Sequence, residues 1–432
     1  MIDLNLIRKN PKEVQDKAQS KGYEINTGLI IETDNKHLSL IKEVENLREE
    51  RNQLSGIGKN TKPDIETIEK AKNLKSTLRS KEEELANIAK ELNTLLLKVP
   101  NMPLDEVPFG KDESENYVSK SVGEIPVFDF DIKNHAEIAE SKDWLDKKRA
   151  AKIAGSRFNY IKGPLVSLQF AIIQYVLDVL TKEEVIAKIV SDNNLNISSK
   201  AFVPVIPPAL IKTDVYEASG RLDAEEVTYK IDQDELWLNA SAEHSLCTMY
   251  KDEIISEDDL PIRYIGYSTS FRREAGTYGK DTEGLFRSHQ FDKLEMEVFS
   301  LPENGYQEHL LLIAIEEYLM QSLKIPYQVL MKCTADIGFP NARGVDIEAW
   351  LPAQNKYRET HSADYITDFQ ARRLKTRFKK KNGDIGFVHT NDATAFALSR
   401  APIAIIENYQ QKDGSVLIPD VLQTYMGNKK VL

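Results

Sequence analysis

Between Arg263 and Phe299 the chain reads RYIGYSTSFRREAGTYGKDTEGLFRSHQFDKLEMEVF, the pattern of a strand, a glycine-containing loop and a second strand. Period-two alternation puts Arg272 and Glu274 on one face of the first strand, and Phe291, Lys293 and Glu295 on one face of the second. If the strands pair, these side chains share one surface. Burying an arginine and two carboxylates on a sheet face is costly unless they meet each other or a ligand. An arginine suits a phosphate, an aromatic ring suits a stacked base, and a carboxylate suits an amine. The same spacing also fits an ion-pair ladder on a solvated two-stranded ribbon, and spacing alone leaves both open.

Other routes to chemistry are missing from the sequence. Neither a GxxxxGK[ST] phosphate loop nor a GxGxxG fingerprint occurs. The seven histidines show no HExxH or other ligand spacing; His244, His289, His361 and His389 read as hydrogen-bonding neighbours of the charged segment, and no zinc is expected. Cys247 and Cys333 are too few and too far apart for a disulfide framework and read as buried thiols.

The elements that must carry this segment fall into two regions. From about Leu29 to Val99 there is no Trp or Phe, and Glu, Lys, Arg and Leu are dense. Ala71, Leu74, Leu78, Lys81, Leu85, Ile88, Leu92, Leu95 and Val99 are spaced by alternating threes and fours, as in a coiled-coil seam. Leu40, Val44, Leu47, Arg51 and Leu54 repeat the rhythm, and SGIGKNTKPD between the two runs would break any helix, with Asp64 capping the second arm. Two such seams predict an antiparallel helical hairpin, about 50 Å long for arms of about 35 residues. A dimerisation device or a scaffold is the commoner use of such an arm, and periodicity alone does not name its partner. Pro100, Pro103 and Pro108 then mark a stiff linker. The remainder, which holds Trp144, Trp237 and Trp350, reads as a single α+β domain. The expected division is a hairpin domain with linker over 1–108 and a second domain over 109–432.

A net charge of -11 excludes a protein that is basic all over, although Arg372, Arg373, Lys375, Arg377, Lys379, Lys380 and Lys381 form a local basic run. No stretch approaches the roughly 18 apolar residues of a membrane span, and MIDLNLIRKNPKEV lacks the apolar run of a secretory signal, so a cytoplasmic location without membrane partners is expected.

FRREAG, the loop through GKDTEGLFR, and HQFDKLE resemble motif 2 of class II aminoacyl-tRNA synthetases, in the form found in seryl-tRNA synthetases. The likeness continues through VPNMPLDEVPFGKDESEN, RAAKIAGSRFNYIKG, DFQARR, IAIIENYQ and GSVLIPDVLQTYMG, so it covers nearly the whole chain in order. It implies a tRNA-gripping hairpin in front of an antiparallel catalytic sheet flanked by helices, working as a homodimer with ATP, magnesium, L-serine and serine tRNA, with selenocysteine tRNA as a second acceptor. It implies Arg272, Glu274 and Arg400 as catalytic residues, and Arg272, Glu274, Arg287, Ser288, Phe291, Glu359, Ser362 and Arg400 around ATP. Glu359 and Ser362 would hold the magnesium. Because these two are three apart, a flat strand would turn them to opposite faces, so a bulge or strand end is expected there. Ser241, Glu243, Arg272, Glu295 and Thr394 would form the serine pocket. On the hairpin, Arg48, Lys72, Lys75 and Arg79 are expected to face RNA phosphates.

The chain departs from the family's usual wording in several places. Ser241 stands for Thr; Thr390, Asn391, Asp392 and Ala393 stand for a Thr-Leu-Asn-Gly run; Asp364 and Tyr365 replace a Ser-Asn pair; Ser399 replaces Gly; and the segment from Thr181 to Pro204 is long. Two alternatives follow: a non-catalytic tRNA-binding paralogue, and a class II enzyme for another small amino acid.

Overall fold

The computed structural model describes residues 1–57, 64–222, 227–274 and 284–432. Most of the helix-breaking segment between the arms, and the loop expected after Glu274, lie outside the described residues. The chain divides into two compact units, Met1–Met102 and Pro103–Leu432.

The first unit begins with α1 (Leu4–Lys9) and α2 (Pro11–Ser20), followed by the long arms α3 (Thr27–Ile57) and α4 (Ile65–Leu97), which pack on each other. Asp64 caps α4 by accepting from the Thr67 N–H at 2.7 Å, a contact of about 1 kcal/mol at such positions. Leu40 and Val44 of α3 and Leu74, Leu78 and Leu92 of α4 are buried as the seam requires. Near the base of α4 the buried position is Leu96, and Leu95 is half-buried. The expected seam follows a 3.5-residue period, whereas a straight helix returns to one face after 18 residues, which superposes Leu92 on Leu74 and Leu96 on Leu78. Ala71 and Arg51 are exposed. Lys81, the polar seam position, reaches across to Glu43 at 3.0 Å. Of the four basic residues expected to meet RNA, Arg48 pairs with Glu82 at 2.8 Å and Arg79 with Glu83 at 3.1 Å, while Lys72 and Lys75 are exposed and form no ion pair among the described residues.

The second unit is built on one sheet. Its strands are β1 (Tyr117–Val122), β2 (Val203–Val205), β3 (Ile262–Phe271), β4 (Gln290–Ser300), β5 (Tyr327–Met331), β6 (Arg343–Leu351), β7 (Lys356–Thr367) and β8 (His389–Ala397), in the spatial order β1-β5-β6-β7-β8-β4-β3-β2. All neighbours are antiparallel except the β2–β3 pair. Alternation along the central strands separates two faces. Leu294, Met296, Val298, Val345, Ile347, Ala363, Ala393 and Ala395 join the main hydrophobic core. Helices α5 (His135–Ser141), α6 (Pro164–Leu180) and α7 (Gly305–Ser322) contribute to that same core. The residues between these positions, including Lys293, Glu295, Ser362, Asp364, Asp392 and Thr394, are polar and belong to the opposite face.

Both cysteines are free and buried. Among the described residues no single helix is long and apolar enough to cross a membrane. Much of the basic run is spent internally: Arg372 pairs with Asp368 at 2.7 Å, Lys381 with Asp258 at 2.7 Å, and Arg373 donates to the carbonyls of Glu217 and Ala218.

Candidate active site

The polar face of the sheet opens into a cavity of about 770 Å³ including its mouth. Arg272, Glu274, Ser288, Phe291, Glu359, Ser362, Arg400, Glu243 and Thr394 all line it. Ser241 and Glu295 lie directly beneath, both fully buried. Arg287 does not line this cavity; it pairs with Glu274 at 3.1 Å and borders an adjoining cavity shared with Glu359 and Arg400.

The strand geometry differs from expectation at its most informative point. β3 ends at Phe271, so Arg272 and Glu274 are not placed by alternation. The ladder extends one step, with the Arg272 N–H donating to His289 O at 3.0 Å, but the next N–H, of Arg273, turns away to Val227 O at 2.8 Å. Glu274 adopts a left-handed φ of 48°, and its carbonyl accepts from Arg157 at 3.1 Å. Irregular backbone held by these contacts aims both side chains into the cavity. The Arg272 guanidinium sits 5.3 Å from the Phe291 ring centroid and donates to Ala240 O at 3.2 Å.

Glu359 and Ser362 reach the same cavity because β7 is bulged. The β6–β7 register passes from Ile347 opposite His361 to Glu348 opposite Glu359, which leaves Thr360 as an extra residue and turns both polar side chains to one face. Arg400, the first residue of helix Arg400–Tyr409, pairs with Glu359 at 3.1 Å. Glu359 is half exposed at the cavity wall, where its partial loss of solvent would raise its pKa, but Arg400, Lys332 and Arg272 together outweigh that and hold the carboxyl down to about 2. Sequence reasoning missed Phe286, whose ring is flanked by the guanidinium groups of Arg358 at 4.0 Å and Arg400 at 5.0 Å.

At the narrow end of the cavity, the short helix Ala242–Leu246 presses on β3 at Gly266. A Cβ there would stand 2.6 Å from a Leu246 methyl and 3.3 Å from the Ala242 Cβ, so a larger residue would force this packing to shift. That approach brings Glu243 beside Glu295, the residue opposite Gly266. The Ser241 hydroxyl donates to Glu243 at 2.5 Å, and Thr394 lies opposite Glu295 across a bulge at Ala395. Lys293 was visible on the strand face without a role. Its ammonium is 2.6 Å from Glu295, 3.6 Å from Glu243 and 3.2 Å from the Ser241 hydroxyl. Burial would lower the Lys293 pKa, and the two carboxylates more than offset it, so the ammonium stays charged. Burial likewise opposes ionisation of Glu243, yet Lys293, His244 and Arg221 keep it well below its usual range.

Arg221 was not singled out in the sequence. It lines the cavity beside Glu243, Thr394 and Asp364 and pairs with Asp392. Only the strand register explains it, since Asp364 and Asp392 stand directly opposite each other on β7 and β8.

The chain is similar to known proteins along its whole length. The model of the seryl-tRNA synthetase N-terminal domain matches residues 1–103, and that of the class II tRNA synthetase core domain (G, H, P, S and T) matches residues 227–409. The chain is 39% identical to a serine–tRNA ligase of Thermodesulfovibrio yellowstonii, covering 99% of both chains. It is 37% identical to one of Nitrosopumilus maritimus over the full length of each. The crystal structure of a seryl-tRNA synthetase from Pyrococcus horikoshii complexed with ATP superposes with a TM-score of 0.89 at 37% identity, covering 100% of this chain and 99% of that one. Since domain models, full-length relatives and a superposable structure agree from end to end, the chain belongs to the seryl-tRNA synthetase family of class II aminoacyl-tRNA ligases.

Proposed function

We propose that this chain activates L-serine with ATP to seryl-adenylate and transfers serine to the 3′ end of serine tRNA. The observation that carries the reading is one cavity with two chemically distinct ends. One end offers Arg272, Arg400 and the Phe291 ring, which suit phosphates and a base; the other is a small, closed set of Ser241, Glu243, Glu295, Lys293 and Thr394. The serine ammonium needs a carboxylate and its hydroxyl needs a buried polar partner, two jobs that Glu243 and Glu295 share between them. A small hydroxyl is separated from hydrogen or methyl by buried polar partners that alanine or glycine would leave unpaired.

The reaction needs no covalent enzyme intermediate. The serine carboxylate attacks the α-phosphorus in line and pyrophosphate departs. Arg272 neutralises charge at the α-phosphate and the serine carboxylate, while Arg400 meets the far phosphates and Glu274, Arg287, Ser288 and Phe291 bind the nucleoside end. The terminal ribose hydroxyl of tRNA then attacks the adenylate carbonyl and AMP leaves. Glu359, held ionised, and Ser362, turned to the same face by the Thr360 bulge, fit a magnesium ion entering with ATP, which when bound would neutralise phosphate charge. Before ATP arrives, Arg400 occupies Glu359, so phosphate binding has to draw this arginine away.

We assign tRNA gripping to residues 1–108 and catalysis to 109–432, in a cytoplasmic enzyme. The serine reading is tested by amino-acid-dependent exchange of pyrophosphate into ATP across all twenty amino acids. Serine alone should support strong exchange. Exchange with a different amino acid would reassign the substrate, and none at all from well-folded protein would favour the non-catalytic paralogue.

A homodimer is supported by the edge strand β2 and the apolar side chains beside it, with Val203 53% and Ile206 81% exposed. Light scattering on the eluting peak should give twice the 49.1 kDa chain mass at micromolar concentration. A stable 49.1 kDa species there would remove the dimer.

A further inference from the structure

Asp364 and Asp392 face each other across neighbouring strands; Asp364 lines the cavity with Glu243, and Asp392 is buried beneath it, as Glu295 is. Directly opposed like charges are destabilising, and buried carboxylates attract any cation within reach. Read as bare residues, these aspartates suit an amino acid with a second ammonium on a short side chain. The structure fills that place with the protein's own cation. Arg221 pairs with Asp392 through Nη2, and its Nη1 lies 3.8 Å from Asp364. Asp392 does not line the cavity, whereas Arg221 does, beside Thr394 and Glu243. The oxygens of Glu243, Glu295 and Asp392 lie within 4.8 Å of one another, and Lys293 and Arg221 are the cations that answer them.

The placement of Arg221 is over-determined. It follows Gly220, which takes a left-handed φ of 73° at the end of helix Thr213–Ser219. That helix end is held by Arg373, which donates to Ala218 O at 2.9 Å and Glu217 O at 2.7 Å. Within the helix, the Tyr216 hydroxyl contacts His244, the neighbour of Glu243. Gly344, opposite Asp364, leaves room for its carboxylate, since a Cβ there would come within 2.9 Å of the Asp364 oxygen.

We propose that Arg221 is a specificity-determining residue of the amino-acid pocket: locked between Asp392 and Asp364, it presents a hydrogen-bond donor to a small neutral side-chain oxygen and excludes a side chain bearing a second ammonium. The inference rests on the serine pocket proposed above. It also makes the two unusual aspartates and this arginine one coupled unit, so that the aspartates are supports for Arg221 and leave the pocket competent for serine.

The test uses full-length protein in pyrophosphate exchange with L-serine, L-alanine, glycine and L-2,3-diaminopropionate. Arg221→Gln should raise the KM for serine about tenfold while leaving the KM for ATP within about twofold, because a neutral amide loses the charge that locks the unit. The preference for serine over diaminopropionate should fall by about tenfold or more, since both aspartates become available to an ammonium. Arg221→Gln combined with Asp392→Asn should recover most of the serine KM and lose the gain with the diamine. Arg221→Lys keeps a cation between the aspartates and should retain the exclusion. An unchanged serine KM in Arg221→Gln, an equal rise in the ATP KM, or an unchanged serine-to-diamine ratio overturns the proposal. If Arg221→Gln does not fold, loss of exclusion in Arg221→Lys overturns it equally. Absence of serine exchange in the unaltered protein would instead sink the serine reading itself, whatever Arg221 does.

Discussion

Replacement of Arg272 by alanine is expected to lower serine-dependent pyrophosphate exchange by at least about a hundredfold, the usual cost of losing a donor aimed at developing transition-state charge. The expectation follows from where Arg272 sits. It is carried past the end of β3 on irregular backbone and lines the cavity between the Phe291 ring and the phosphate-suited end. Among the described residues its side chain, part-buried, makes one hydrogen bond, to Ala240 O, and one ring contact, and Glu359 keeps Arg400 and Lys332 as neighbouring cations when it is removed. The variant should therefore keep its circular dichroism spectrum and melt within a few degrees of the parent. Lysine at this position keeps a charge but loses the planar fork that can meet carboxylate and phosphate together, and should recover only part of the loss. Near-normal exchange from Arg272→Ala would remove this residue from the mechanism.

The sequence made the site legible where chemistry and local periodicity coincide. Phe291, Lys293 and Glu295 alternate on one strand and share one face, as period-two counting requires. Glu359 and Ser362 need a bulge between them because three is an odd number, and Thr360 is the bulged residue. Arg272 and Glu274 reached the cavity by another route than alternation, since the Arg273 N–H leaves the ladder for Val227 O, a long-range partner that no local pattern announces. Arg221 was illegible for a related reason. Its function depends on β7 and β8 being paired with Asp364 opposite Asp392, and strand register is a property of the assembled sheet. Seen singly, the two aspartates looked like damage to a serine pocket; beside Arg221 they are parts of it. The helical arms were easier, because their contacts are made by neighbouring turns, and the error there was one of period, with Leu96 taking the buried place expected of Leu95.

Deleting about residues 36 to 98 and bridging the ends should spare serine-dependent exchange while transfer of serine to tRNA falls steeply. The arm makes its own closure: Leu40, Val44, Leu74, Leu78 and Leu92 are consumed between α3 and α4, and Lys81 with Glu43 and Arg48 with Glu82 tie one arm to the other. Every proposed catalytic and substrate-binding residue, Arg221 included, lies after residue 220, in the second compact unit, whose sheet and core are complete without the arm. Apart from a few apolar side chains such as Ile65 and Ile68, what the arm leaves outward is polar, and proteins commonly meet double-stranded RNA by shape and by phosphate contacts. Lys72 and Lys75 are the exposed cations of the four considered that have no ion pair among the described residues, which makes them better phosphate ligands than Arg48 or Arg79. Reversing both to Glu should weaken tRNA binding and flatten its log–log dependence on salt by about one unit per lost phosphate contact. The intact enzyme should accordingly be more salt-sensitive in tRNA binding than the deletion, with the KM for ATP and serine unchanged in both. A truncated protein that charges tRNA as well as the full chain would make the arm a structural element only.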